Sequence, residues 1–295
     1  MDLICIVGPT GVGKTKLSIE LAKKLNGEII NADSTQVYKE LNIATAKVTE
    51  EEKEGIKHHL FDIKDIKDDY TVYDYQQDCR LKIKELMDNN KLPILVGGTG
   101  LYIKAALYDY QFDNEDMKRD YSKYSNEELY QLLKQVDNDT EIHPNNRKRV
   151  ERALDYYYNN KKPMSEKVTT DKLLYNVLFI GLTTNRDTLY KRINMRVDKM
   201  VKEGLLEEAK KIYDSNIRTK AVMTPIGYKE LFPYFNTEKS LEECLELIKQ
   251  NSRRYAKRQY TWFNNQINVE WFDVDFDAFS NTVNDVINYI ITIDK

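Results

Sequence analysis

Eight consecutive residues, Gly8-Pro9-Thr10-Gly11-Val12-Gly13-Lys14-Thr15, satisfy G-x-x-x-x-G-K-[ST] without a mismatch. Glycines at this spacing let successive backbone N–H groups curl around phosphate oxygens, and a helix N-terminus behind them adds partial positive charge. Lys14 supplies a point charge to an outer phosphate, and Thr15 a hydroxyl to Mg²⁺. A glycine-rich turn without a ligand needs no Lys-Thr pair, no strand before it and no helix after it. The pattern therefore reads as a di- or triphosphate site. It does not say what becomes of the phosphate, because kinases, NTPases and enzymes with a diphosphate leaving group share the same cradle.

Two further residues could complete a reaction centre. Asp33 follows the apolar pair Ile29-Ile30, and Thr99 follows Leu92–Val96 in Gly97-Gly98-Thr99-Gly100. In a parallel sheet, function collects at the carboxyl ends of strands. An Asp there could hold metal-bound water or act as a general base. A helix N-cap and a tight strand-to-helix turn are the plainer readings of the same residues.

The elements that must position these residues follow from hydrophobic spacing. Leu3–Val7 reads as a buried strand, 16–25 as a helix, 28–33 as a second strand, 73–87 as an amphipathic helix, and Leu92–Val96 as a third strand leading into a helix at 101–107. Strand alternating with helix predicts an α/β fold, a parallel sheet covered on both faces. Residues 111–174 show helical spacing and no strand. The strand signal returns at 176–182, and helices are predicted over 187–213, 226–232 and 240–264. The predicted domains are a core of 1–112 with 174–295 and a small all-helical insertion of 113–173. The tail, 266–295, carries one basic and six acidic residues and receives no element.

Composition narrows the class. With 41% hydrophobic and 32% charged residues in 295, the chain can bury a sizeable core. Gly (11) and Pro (6) are too few for a linker-rich chain. Apolar runs fall far short of the ~20 residues of a membrane span, and no signal peptide is read at the N-terminus. Cys5, Cys79 and Cys244 are odd in number and far apart, which argues against a disulfide framework or zinc finger and makes the cytoplasm the expected location. His58-His59 lacks an obvious third metal ligand. No heptads appear, so a monomer is expected. Net charge is −3, yet cations cluster: Arg253, Arg254, Lys257 and Arg258 have no acid among them. Interleaved with Tyr255, Tyr260 and Trp262, they suit a phosphate-tracking RNA surface.

Beyond the phosphate loop, Asn31-Ala32-Asp33-Ser34-Thr35-Gln36-Val37-Tyr38, Ala44-Thr45-Ala46-Lys47, His58-His59-Leu60 and Gly97-Gly98-Thr99-Gly100-Leu101-Tyr102 follow in order. His143-Pro144-Asn145-Asn146-Arg147-Lys148-Arg149-Val150-Glu151-Arg152, Arg192-Ile193-x-x-Arg196-Val197-Asp198, Ile226-Gly227-Tyr228-Lys229 and Arg254-Tyr255-Ala256-Lys257-Arg258-Gln259-x-Thr261-Trp262-Phe263 continue the series. The ordered set, spanning roughly residues 3–263, resembles the motifs of the tRNA dimethylallyltransferase (tRNA isopentenyltransferase) family.

That resemblance implies a P-loop NTPase-like core. It also implies transfer of a dimethylallyl group from dimethylallyl diphosphate to N6 of the adenosine 3′-adjacent to the anticodon, in tRNAs reading codons that begin with U. Gly8, Pro9, Thr10, Gly11, Val12, Gly13, Lys14 and Thr15 would bind the diphosphate, with Thr15 near Mg²⁺. Asp33 would be the general base, Arg196 would bind the diphosphate, and Thr99 would lie near the target nucleotide. The tRNA-contacting segments would be Asp33, Ser34, Thr35 and Gln36; Lys148, Arg149, Val150, Glu151 and Arg152; and Thr224, Pro225, Ile226, Gly227, Tyr228 and Lys229. The insertion would clasp the anticodon stem-loop. The chain departs from the pattern at Ala44, where the family usually has Gly, at Thr35, where Met is commoner, and in a shortened 111–142 region. On residue types alone, a small-molecule kinase using ATP with Mg²⁺, or a non-catalytic RNA-binding protein on the same fold, remain alternatives.

Overall fold

The computed structural model describes residues 1–112, 118–166 and 172–293. Along the chain, β1 (Leu3–Val7) is followed by α1 (Lys14–Lys24), β2 (Gly27–Asn31), the two-residue β3 (His58–His59), α2 (Val72–Asp88), β4 (Leu92–Val96) and α3 (Gly100–Leu107). Next come α4 (Asn126–Val136), α5 (Arg147–Asn160), β5 (Val177–Thr183), α6 (Arg186–Lys202) and α7 (Leu205–Asp214). Two single-turn helices, α8 (Lys220–Met223) and α9 (Phe232–Phe235), precede α10 (Leu241–Gln266), β6 (Glu270–Asp273) and α11 (Phe279–Ile293). The chain divides into two units, Met1–Tyr108 with Leu173–Lys295, and Asp109–Lys172.

In the first unit six strands form one sheet in the order β3-β2-β4-β1-β5-β6, and every pairing is parallel. All five residues of β1 are buried, as a central strand between two helix layers requires. Leu3, Cys5 and Val7 face one apolar layer, shared with α2, α3 and α10; Ile4 and Ile6 face the other, shared with α1 and α11. This period-2 division gives the sheet its two cores. The α/β fold with helices on both faces is the architecture that the alternating pattern predicts.

Three details differ from the sequence expectation. The helix expected over 187–213 is broken at Gly204, whose φ of 104° lies in the left-handed region and starts α7 afresh. The helix expected over 226–232 is a turn. There the Gly227 N–H donates to Glu230 Oε2 at 2.9 Å and the Tyr228 hydroxyl to Glu208 Oε1 at 2.8 Å, so side chains capture groups a helix would have used. The acidic tail contains β6, which pairs with β5 from Ile180↔Glu270 to Thr183↔Asp273, and α11. A four-residue strand has too little periodicity to be read without its partner.

The second unit has its own small core. Leu129 and Leu133 of α4 meet Val150, Ala153 and Leu154 of α5. Ser125 caps α4 in a reciprocal box with Glu128. Arg147 holds the α4 approach by donating to Tyr121 O at 2.7 Å and Tyr124 O at 2.8 Å, while pairing with Glu151 at 2.7 Å.

Within the first unit, Glu208 of α7 fastens a turn distant in sequence. Its carboxylate accepts the N–H groups of Asn42, Ile43 and Ala44 at 3.0–3.1 Å and the Tyr228 hydroxyl. Ala46, not Ala44, takes the left-handed conformation in this turn (φ 48°), so the methyl at Ala44 costs no backbone strain. Glu208→Ala leaves several donors without an acceptor, a loss of about 2–3 kcal/mol. A melting temperature lower by roughly 5–10 °C is expected in calorimetry, whereas Glu208→Gln, which keeps one oxygen, should recover part of it.

Candidate active site

The phosphate loop joins the central strand β1 to α1. Gly13 is the N-cap, with φ 103°, no side chain caps the helix, and its first turn has no acidic residue. N–H groups left open in this way are an anion site. A side chain at Gly13 would be strained at this φ and would have to displace the Phe279 ring, which lies 2.9 Å from where a Cβ would stand. Lys14 folds back over the loop and donates to Gly8 O and Pro9 O, both at 2.9 Å. Val12 turns into the core, so that residue can offer a ligand only its backbone. Thr15 is exposed.

Two arginines one turn apart on α6 reach the loop. Arg196 donates to Thr10 Oγ1 at 2.9 Å. Arg192 donates to Gly11 O at 3.2 Å, its guanidinium 3.8 Å from the centre of the Phe276 ring. Loss of water around the Lys14 ammonium, with Arg196 beside it, lowers its pKa from 10.5 to about 7, against the raising effect of Asp33. Burial lowers Arg196 too, and Asp33 opposes that shift.

Asp33 and Thr99 stand on the adjacent strand ends. The Asn31 side chain fixes the first turn, accepting the Asp33 N–H at 2.9 Å and donating to Leu60 O at 3.1 Å. Asp33 Oδ1 accepts both the N–H of Thr35 at 2.9 Å and its hydroxyl at 2.6 Å. Thr35, a departure from the motif, is thus the residue that orients the carboxylate. Thr99 Oγ1 accepts the Ser34 N–H at 3.1 Å, which locks the two strand-end turns together.

A cavity of about 560 Å³ opens between Thr10 of the loop, Arg196 and the two strand-end turns; Lys14, Thr15, Arg192 and the rest of the loop are not part of its lining. Thr10 and Arg196 lie at its phosphate end, with Asp33, Ser34, Thr35 and Thr99 along one side. Ile193, Val197, Met200, Pro225, Ile226 and Ile248 supply apolar lining. Tyr255 and Arg258 of α10 also line it. Such a cavity can hold a diphosphate, a small apolar group and a nucleophile in line with a carboxylate.

Sequence-predicted residues separate accordingly. The cavity brings together Thr10, Asp33, Ser34, Thr35, Thr99, Arg196, Thr224, Pro225, Ile226 and Lys229. Gln36 instead donates to Thr45 O at 2.9 Å and braces a turn. Tyr228 is fully buried with its hydroxyl on Glu208. Lys148, Arg149 and Arg152 are exposed on α5 of the second unit. Val150 is 0% exposed in that unit's core, so its side chain cannot touch RNA; its apolar bulk is spent on α4. Glu151 is held by Arg147. Of the aromatic residues of α10, only Tyr260 is exposed, at 38%. Tyr255 turns into the cavity, Tyr260 packs on Trp271 with ring centres 5.0 Å apart, and Trp262 covers Gly100. Burial, with the Asp33 charge second, raises the Tyr255 pKa far above the ordinary phenol range, so it is a neutral donor. The missed residues, Arg192, Tyr255 and Gln259, lie on helices whose inward face only packing reveals.

A phosphate loop after the central strand of a parallel sheet, with helices on both faces, makes this a P-loop NTPase-like fold, here with a carboxylate and a threonine on neighbouring strand ends. Residues 36–266 match the sequence pattern of the IPP transferase family, and the chain belongs to that family. A protein named tRNA dimethylallyltransferase from Anoxybacillus flavithermus is 50% identical over 297 residues, covering 98% of this chain and 96% of its own. The crystal structure of a tRNA delta(2)-isopentenylpyrophosphate transferase from Staphylococcus epidermidis superposes with a TM-score of 0.75 at 42% identity, covering 98% of both chains. A eukaryotic dimethylallyltransferase structure, described as acting on tRNA, superposes with a TM-score of 0.80 at 33% identity, covering 92% of this chain and 73% of that one.

Lys14 gives the site a proton signature. Below pH about 7 the amine is already charged in the free protein. Above that pH it is increasingly neutral, and an anionic diphosphate, which favours the charged form, must draw a proton from solvent. Calorimetric titration with magnesium pyrophosphate at pH 8.5, in buffers of different ionisation enthalpy, should therefore show proton uptake that vanishes near pH 6. Lys14→Arg, whose charge does not titrate, supplies the baseline for the ligand's own protonation. Equal uptake by both proteins at pH 8.5 would contradict the assignment.

Proposed function

We propose that the protein transfers a dimethylallyl group from dimethylallyl diphosphate to N6 of the adenosine 3′-adjacent to the anticodon of tRNA, releasing diphosphate. The observation that carries this reading is the single cavity in which Arg196 and Thr10 of the phosphate loop face Asp33 and Thr99 across an apolar lining. The family match and the names of its relatives support the same reaction and do not favour an ATP-dependent kinase.

The chemistry follows from the residues. The N6 lone pair attacks the allylic carbon, the carbon–oxygen bond breaks, and its electron pair leaves on the diphosphate. Negative charge grows where the loop N–H groups, Lys14 and Arg196 converge, the arrangement that preorganised electrostatic catalysis requires. N6 loses its proton to Asp33 as the C–N bond forms, relieving a nucleophile weakened by delocalisation into the ring. Ile193, Val197 and Ile226 give the allyl group apolar contacts and keep water from the developing cation. The adenosine must leave its stack, which costs less in a loop that is already single-stranded.

The residues also fit Mg²⁺ carried in with the diphosphate. Thr15, exposed at the start of α1, would offer it a hydroxyl beside the diphosphate oxygens. When bound, it neutralises charge on the departing group. Whether ATP also enters the loop is decided by the same assay with ATP added as a competitor of dimethylallyl diphosphate. RNA contact would come from the exposed cations of α5, from Thr224, Pro225, Ile226, Gly227 and Lys229, with the Tyr228 side chain buried behind them, and from the Arg254, Lys257 and Arg258 face of α10. A cytoplasmic monomer completes the reading; no helix among the described residues is long and apolar enough to cross a membrane.

The test is an assay with Mg²⁺, dimethylallyl diphosphate and unmodified tRNA, followed by digestion and mass measurement of the nucleosides. An adenosine heavier by one dimethylallyl group is the expected product; no product, with ATP consumed in a parallel tube, would favour a kinase. Asp33→Ala should lower kcat by about 10²–10⁴-fold with pyrophosphate affinity nearly unchanged. Arg196→Ala should lower both, by about 10²–10³-fold in kcat. Replacing Arg254 and Lys257 together by Ala should weaken tRNA binding and reduce the slope of log affinity against log salt by about 2, while leaving pyrophosphate affinity unchanged.

A further inference from the structure

Gln259 of α10 is 5% exposed and makes no contact with solvent that would explain its polarity. Its amide spans two turns from different strands. Oε1 accepts the Thr10 N–H of the phosphate loop at 2.9 Å, and Nε2 donates to Gly98 O, after β4, at 3.0 Å. A backbone N–H can only donate and a carbonyl can only accept, so the amide has one orientation that satisfies both. The approach at Gly98 is so close that a Cβ there would lie 1.9 Å from Nε2.

Each end of this bridge leads to a reacting group. Thr10 also receives Arg196 on its hydroxyl at 2.9 Å. Gly98 precedes Thr99, whose hydroxyl holds the Ser34 N–H at 3.1 Å, next to Asp33. Direct pairing of β1 with β4 ends at Ile6↔Val96, and one more bond, Gly97 N–H to Ile6 O at 3.3 Å, follows it. Past that point the phosphate turn and the acceptor turn separate, and the Gln259 amide crosses between them.

We propose that Gln259 is a positioning residue that sets the separation of the diphosphate half and the acceptor half of the cavity, so that the allylic carbon and N6 meet at reacting distance. This rests on the transfer reaction proposed above. Each half is built without Gln259: the loop by its own glycines and Lys14, the base by Asn31 and Thr35. Loss of the bridge therefore leaves both substrates able to bind and misplaces one against the other. A displacement of about 1 Å can cost on the order of 10²-fold in rate.

The experiment uses Gln259→Met, of similar shape without the bonds, and Gln259→Glu. Both should lower kcat by about 10–100-fold while KM for dimethylallyl diphosphate and for tRNA each stays within about threefold. In Gln259→Glu the protonated carboxyl restores both bonds, its O–H donating to Gly98 O and its carbonyl accepting from Thr10. The ionised form sets a carboxylate against a carbonyl. The kcat of Gln259→Glu relative to the wild type should thus rise as pH falls from about 8.5 to about 6, with the ratio for Gln259→Met flat. Hydrogen exchange gives a readout independent of turnover. Magnesium pyrophosphate should slow exchange at 8–15 and at 97–102 in the wild type, and only at 8–15 in Gln259→Met. Equal slowing at 97–102 in both proteins, or a rise in KM with kcat unchanged, overturns the proposal. A wild type that transfers no dimethylallyl group refutes the proposed function, and the exchange result still decides the role of Gln259.

Discussion

The first turn of α1 begins at a glycine N-cap, Gly13, which has no side chain to cap the open N–H groups. A helix end in that condition is unstable against any nearby acceptor and useful only if it is kept open toward a ligand. Much of the surrounding structure answers this constraint. Lys14 closes the loop on itself through Gly8 and Pro9, Arg192 and Arg196 brace it from α6, and Phe276 and Phe279 wall it from the segment around α11. The cost is visible in Lys14, whose ammonium is held where water is scarce and a second cation is near.

Position in the sheet explains how one loop can serve a two-substrate reaction. β1 is central, with β4 and β2 on one side and β5 on the other. The strand ends on the first side carry Thr99 and Asp33, and the connection after β5 leads into α6 with its two arginines. The two arginines and the carboxylate–threonine pair thereby stand on opposite flanks of one strand. Each flank has its own local fastening: Thr35 and Asn31 for the carboxylate, Thr10 for Arg196. α10 runs past both and contributes Tyr255, Arg258 and Gln259 to the space between.

Elsewhere single acidic residues do the fastening. Glu208 gathers three backbone N–H groups and a buried phenol, and Glu230 holds the Gly227 turn. These carboxylates fasten the irregular wall from Thr224 to Lys229 through the Gly227 N–H and the Tyr228 hydroxyl. The same residues explain why helical spacing at 226–232 misleads: apolar periodicity records burial, and side-chain capture of the backbone outcompeted a four-residue gain in helix bonds.

What the sequence determined by itself was everything governed by short spacing. The phosphate loop, its strand and helix, the alternation that makes a parallel sheet, and the strand-end placement of Asp33 and Thr99 all depend on residues within a few positions of one another. Their geometry is set by backbone conformation and by a period of two or 3.6. Tertiary structure alone decided which face of α10 turned inward, that the Val150 and Tyr228 side chains were buried, that Thr35 held Asp33, and that Gln259, about 250 residues from Thr10, bridged the Thr10 and Gly98 turns. Charge and aromatic type do not encode direction. A tyrosine or glutamine on an amphipathic helix takes its meaning from the neighbour it meets, and that neighbour is fixed only when the sheet orders its strands.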